Sequence, residues 1–210
     1  RPKIDRFRVR FYDDYPSALR AANGGEIDGL LLREVLSEAQ STEVAKMHGM
    51  EATPLERTAH IILYLNNDKI NLSDSRVRKA ISIAMDRRAI VAATFFGGAT
   101  ASSSAIPPGS WAYDAEYDQL DVVLAEAKQL LTDAGWKANP TAGILIREGE
   151  EFRMTIRTDN DPIRVAVAES IRRQLEPLGI RASVISTTFA VLRRDFLQER
   201  KYDAAVTGWD

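Results

Sequence analysis

Tyr64-Leu65-Asn66-Asn67, then Ser75-Arg76-Val77-Arg78-Lys79-Ala80-Ile81, then Ala84-Met85-Asp86-Arg87-Arg88-Ala89-Ile90-Val91, stand in this order in the first half of the chain. The first phrase closes a run rich in Ile and Leu that begins at Ala59, which predicts a strand. In the next two, Val77, Ala80, Ile81, Ala84 and Met85 recur at the spacing of one helix face, and the other face is charged. Ser73-Asp74 offers side-chain oxygens to the free amides of that helix's first turn. Asp86 predicts a second cap, for a helix that buries Ile90, Val91 and Phe95 and is stopped by Gly97-Gly98.

Toward the C-terminus, residues 99–115 read as a loop containing Ser102-Ser103-Ser104 and Pro107-Pro108-Gly109. Helical spacing resumes at Asp121 and runs through Leu124, Ala127, Leu130, Leu131 and Ala134. Gly135 suits the left-handed position after a helix, and Trp136 can fold back on the last turn. Residues 139–143 predict a turn, and residues 144–147 and 152–157 a hairpin around Glu148-Gly149-Glu150. Asp161-Pro162 opens a helix with Ile163, Val167, Ile171, Leu175 and Leu178 on one face, distorted by Pro177 and stopped by Gly179. Residues 181–186 then read as a strand, 189–200 as a helix and 202–209 as a last strand.

Toward the N-terminus, Phe7, Val9 and Phe11 alternate with Arg8 and Arg10, the period of a half-buried strand. Pro16 fits the first turn of a helix carrying Ala18, Leu19 and Ala22 and ended by Asn23-Gly24-Gly25. Residues 27–32 predict a buried strand and residues 34–47 a second helix. Strands alternating with helices argue for an α/β layer structure.

Composition narrows the function. The 210 residues are 45% hydrophobic, enough for a core, and 28 basic against 30 acidic residues give a net charge of -2. That balance gives no support to nucleic-acid binding or a polybasic membrane anchor. No apolar run approaches the ~18 residues of a membrane-spanning helix. With no cysteine, disulfides and thiolate chemistry are excluded. His48 and His60 are the only histidines and lack ligand partners at metal spacing; His60 reads as a structural residue entering a strand. Ser102 to Ser104 lack the Gly-x-Ser-x-Gly elbow of a hydrolase. The paired carboxylates Asp13-Asp14 and Glu150-Glu151 point apart on a turn or strand. Gly24-Gly25 and Gly97-Gly98 follow helices, as stops do, where phosphate cradles precede them. No enzyme is expected.

The order of the central phrases, through Ala127-Lys128-Gln129-Leu130-Leu131 to Ala134-Gly135-Trp136, resembles the extracellular solute-binding proteins of the peptide/nickel class, family 5. Ala168-Glu169-Ser170-Ile171, Leu178-Gly179-Ile180 and the closing Tyr202-Asp203-Ala204-Ala205-Val206-Thr207-Gly208-Trp209 extend the likeness. The resemblance implies a type II periplasmic-binding-protein-like lobe, an α/β mixed sheet flanked by helices. It implies that residues 1–210 are most of the second, C-terminal lobe of a two-lobed receptor, truncated at both ends. The opening Arg1-Pro2-Lys3, with neither signal peptide nor initiating methionine, accords with a fragment. The implied partners are a peptide or other small solute and an ABC permease in the membrane, with the receptor a monomer without cofactor or metal. The implied location is periplasmic or extracellular, with membrane association through an N-terminal anchor or the transporter complex. An α/β enzyme domain, or a receptor fold without a transport role, is the alternative.

The resemblance also supplies candidate ligand contacts. Trp209 would lie near the cleft and pack on ligand apolar surface, or else serve as a packing residue of the core or interlobe boundary. Asp210 follows it, where family members carry, a few positions further on, an acidic residue for the ligand ammonium. Arg157 and Thr158 lie near the carboxylate-binding arginine of some dipeptide binders, offset by about one residue, and one step reverses a strand's face. Asn66 is a turn-former or a ligand contact.

Overall fold

The computed structural model describes residues 3–32, 36–47, 49, 59–95, 98–106, 108 and 110–209, with Glu38 and Trp209 described by their backbone. The chain divides into two compact units, Arg1–Leu55 and Glu56–Asp210.

In the first unit, α1 (Tyr15–Asn23) starts where Asp14 accepts the Ser17 amide at 2.7 Å and has proline in its first turn. It ends with Gly25 at φ 70° and the Glu26 amide bonded back to Ala21. Leu19 and Ala22 pack with Met47, Val44, Ile27 and Leu30 in a small core. Helix α2 (Glu38–Ala45) is shorter than predicted, because Ser37 and Gln40 form a reciprocal cap that fixes its start; residues 33–35 lie outside the described residues.

Two strand expectations fail here. Residues 3–12 join no ladder, and Phe7 and Phe11 are 82% and 95% exposed. Residues 27–32 form no strand either, and Leu31 is exposed. Alternation specifies which face a strand would bury, but the backbone needs a neighbouring strand to complete its hydrogen bonds. None of the described residues supplies one.

The second unit holds a four-stranded sheet in the order β1-β7-β5-β6, where β1 is His60–Leu65, β5 Arg153–Asp159, β6 Arg181–Thr187 and β7 Ala204–Trp209. Strand β5 runs parallel to both β6 and β7, and β1 runs antiparallel to β7, so the sheet is mixed. A small sheet joins β2 (Lys137–Ala138), β3 (Leu145–Arg147) and β4 (Glu150–Glu151).

The hairpin expected between residues 144–147 and 152–157 does not form; β3 pairs with Glu150–Glu151, where the sequence predicts the turn. Glu148 and Gly149, with φ 55° and 85°, make the tight turn between them, after which the chain leaves for the main sheet. The transfer occurs at Phe152, whose amide donates to Leu145 of β3 while its carbonyl accepts from Arg181 at the start of β6. Its ring is fully buried, 4.5 Å from that of Trp136.

Helix α6 (Pro162–Leu175) buries Val167, Ala168, Ile171 and Leu175 in one core with Met154 and Ile156 of β5. Glu176–Leu178 tightens around Pro177, and Gly179 closes the turn at φ 80°. Helix α3 (Ser75–Ala84) buries the predicted stripe Val77, Ala80, Ile81 and Ala84, with Met85 at its end, and is capped by Asp74. It packs on α5 (Leu124–Asp133), where Lys79 pairs with Glu126 at 2.8 Å. After α5, Gly135 at φ 87° lets Trp136 fold back onto Leu131. Between them, α4 (Arg87–Phe95) is tied to α6 by Gln174, which accepts from the Asp86 amide and donates to its carbonyl. Gly97, Pro107 and Gly109 lie outside the described residues. The helix predicted over residues 189–200 is α7 (Phe189–Val191) continued as a π-helical stretch, Leu192–Leu197.

The serine loop is organised by one carboxylate. Asp118 accepts from the Ser103 amide and hydroxyl and from the Tyr113 hydroxyl. Burial acts to raise its pKa, but these donors outweigh burial and bring it to about 2.

Candidate functional site

The carboxyl ends of β5, β6 and β7 lie at one edge of the sheet, because all three run in the same direction. Open α/β sheets take ligands outside that edge. Antiparallel β1 brings its first residue there as well, with His60 opposite Trp209. Helix α6 follows β5 within a few residues, so its first-turn amides lie at this edge, and Asp161 accepts those of Ile163 and Arg164 at 2.9 and 3.0 Å.

The five predicted contacts do not all gather here. Trp209 ends β7 at the edge; its side chain and Asp210 lie outside the described residues. Arg157 and Thr158, opposite Ala205 and Val206, approach it from opposite faces of β5. Thr158 continues the buried row of Met154 and Ile156, fully enclosed, and its hydroxyl has no hydrogen-bond partner among the described residues. Arg157 lies on the other face, with its guanidinium 3.7 Å from the Phe196 ring centroid.

Asn66 stands at the far end of the sheet, roughly 20 Å from Trp209 at ~3.3 Å per strand residue. It is buried, with its amide donating to the carbonyls of Arg200 and Tyr202 at 3.0 and 2.8 Å. Its oxygen accepts from the Asp68 amide at 3.1 Å. This geometry clasps the loop before β7 to the end of β1.

Sequence reasoning passed over the charged group at the carboxyl edge. Asp159 is 1% exposed, and its Oδ1 accepts from Arg164 Nε at 2.8 Å and from the Asp161 amide at 3.0 Å. Arg164 also lies 3.5 Å from Asp161. A sequence signal existed: a cation in a helix's first turn is disfavoured by the peptide dipoles there, so Arg164 calls for a specific carboxylate. Among the described residues, no group of three or more His, Asp or Glu could hold a metal ion. A surface hollow of about 700 Å3, lined by Gly135, Lys137, Asn139, Arg147 and Glu148 among others, lies elsewhere. It is built on the small sheet of β2 and β3 and the end of α5.

With this geometry in view, the comparisons are specific. Oligopeptide-binding protein AppA of Bacillus subtilis (strain 168) is 24% identical over 213 residues, matching the whole chain and 38% of its own length. Heme-binding protein A of Haemophilus influenzae is 25% identical over 209 residues, again across the whole chain and 36% of its own length. The chain thus spans less than two-fifths of these relatives. Among solved structures, Bacillus subtilis AppA in complex with a nonapeptide superposes with a TM-score of 0.71, covering 92% of this chain and 38% of that one at 24% identity. A nickel ABC transporter protein from Bacillus halodurans gives 0.75, covering 95% and 40% at 19% identity, a likeness of fold. The family model of bacterial extracellular solute-binding proteins, family 5 Middle, matches residues 1–210, and the chain belongs to that family.

Proposed function

We propose that the protein is the substrate-binding component of an ABC importer, capturing a peptide or related small solute between two lobes and delivering it to a membrane permease. Residues 1–210 represent most of the second lobe in this reading. The protein works outside the cytoplasm as a monomer, held near the membrane by an anchor or by the transporter. It changes no bonds; the free energy of closure comes from ligand contacts shared by both lobes. One observation carries the preference for peptides: the relative named for oligopeptides matches the whole chain, and its solved structure holds a nonapeptide.

The carboxyl edge of the sheet is the solute-facing floor in this reading. Trp209 packs on the ligand, and Asp210 and Arg157 offer charge to its ends. Thr158 and Asn66 have the weakest geometric support, the first enclosed and the second engaged by Arg200 and Tyr202.

Calorimetric titration of the full-length parent with tripeptides and nonapeptides tests the proposal. Saturable binding is expected, and residues 1–210 alone should bind the same peptides poorly, having one side of the cleft. Absence of heat and of any thermal shift with all peptides would overturn the peptide reading, whereas micromolar affinity in the isolated chain would overturn the reading of a cleft shared between two lobes.

A further inference from the structure

Three elements meet at the carboxyl edge around one ion pair, in which Asp159 is buried and Arg164 partly exposed. Asp159 ends β5, Arg164 lies in the first turn of α6, and Gly208 lies near the end of β7. Asp159 is nearly inaccessible, so its carboxylate depends on its neighbours for compensation. Among the described residues, one oxygen has two partners, Arg164 Nε and the Asp161 amide, and the other has none. Asp161 in turn accepts from the Arg164 amide at 3.0 Å and stands 3.5 Å from its guanidinium. The guanidinium extends toward β7: a Cβ placed on Gly208 would stand 3.7 Å from Arg164 Nη1 and 2.9 Å from the His60 carbonyl oxygen. A side chain at residue 208 would therefore press on β1 and sit against Arg164. Glycine leaves this space open.

We propose that Asp159 is the positioning residue of this edge. By holding Arg164 it fixes the first turn of α6 against Gly208, and so sets where the strand end carrying Trp209 stands relative to the α6 amides. It acts through Arg164 and makes no contact with solute. The assignment rests on the reading of this edge as solute-facing. Preorganised floors of this kind bind more tightly because less ordering is left to occur on binding.

The test uses the full-length parent with Asp159→Asn, which keeps the shape and the acceptor for the Asp161 amide while removing the charge. Hydrogen exchange of the Gly208 and Trp209 amides and of residues 162–165 should accelerate roughly tenfold or more, with Ile156 and Leu63 unchanged. Affinity for tripeptides and nonapeptides should fall by a similar factor through faster release. Arg164→Lys keeps the charge without the planar fork and should show a smaller shift of the same pattern. It carries the test if Asp159→Asn does not fold. Asp195→Asn, which breaks an exposed pair with Arg194, should leave both readouts unchanged. Unaltered exchange at Gly208 and Trp209, or acceleration spread evenly through the sheet, overturns the assignment. Local acceleration in a parent that binds no peptide upholds the positioning role and removes the peptide reading.

Discussion

The alternating segment Phe7-Arg8-Val9-Arg10-Phe11 and strand β5 look alike on paper, yet one lies exposed and the other is the axis of a sheet. Met154, Ile156 and Thr158 of β5 face α6, and β6 and β7 flank it on either side. The earlier segment has the same period and larger apolar side chains, but no described strand pairs with it. A period of two assigns faces. It does not provide the neighbour that satisfies the backbone, and that neighbour can come from any distance along the chain.

The comparison can be broken most directly at its buried end. Trp136→Ala removes a ring packed on Phe152 and beneath the Arg147 guanidinium, and should destabilise the second unit by about 3–5 kcal/mol. Urea unfolding of the 210-residue chain measures this, and a loss below about 1 kcal/mol would mean that the ring's burial is not what holds this core.

A second prediction concerns the intermediate case, a loop held by polar contacts. Asp118 has a lowered folded-state pKa, so its stabilising effect is present above the ordinary carboxylate value and is lost as pH falls through about 2. Between about pH 4 and pH 2, residues 99–118 should become open to pepsin ahead of α3 and α6. Asp118→Asn should reproduce that opening at neutral pH, read there with chymotrypsin. Equal susceptibility of wild type and variant would show that the carboxylate does not pin the loop.

The smallest effect is expected at the exposed end. Phe7→Ser and Phe11→Ser should alter the stability of the 210-residue chain by no more than about 0.5 kcal/mol. A larger loss would reveal a partner for that segment and erase the contrast with β5.

Local rules carried most of the helices. Asp74 and Asp161 each cap the helix predicted to follow them, Asp14, read as a turn carboxylate, caps α1, and Gly135 and Gly179 take the left-handed conformation that their stops require. Each is decided within a few residues, and a sequence displays such information openly. The last helix was less legible: its π-helical stretch, Leu192–Leu197, widens the turn without any proline or glycine to announce it. The hairpin after Asn139 was legible in its first strand and its turn at Glu148-Gly149 but not in its partner, because the transfer of residues 153–159 to the main sheet depends on Arg181, nearly thirty residues from Phe152.

The candidate site was legible in part for the same reason. Trp209 falls at the carboxyl edge because β7 is a strand with a readable end. Asn66 was read as following a strand, and it follows β1, but which end of the sheet it occupies depends on β1 running antiparallel to β7. No local phrase records that direction. The Asp159–Arg164 pair was hidden because each residue alone looks like an ordinary turn charge; only burial gives the pair weight.

The pairing of His60 with Trp209 has a mechanical corollary. Strands β1 and β7 are antiparallel neighbours, with the start of one and the end of the other side by side. A pull applied through both would peel β1 from β7 rung by rung, loading one bonded pair at a time, whereas parallel neighbours drawn from opposite ends would resist by sliding with all rungs loaded at once. The second unit is therefore built to yield at low force along that direction, and to begin yielding at the edge where the solute is proposed to rest.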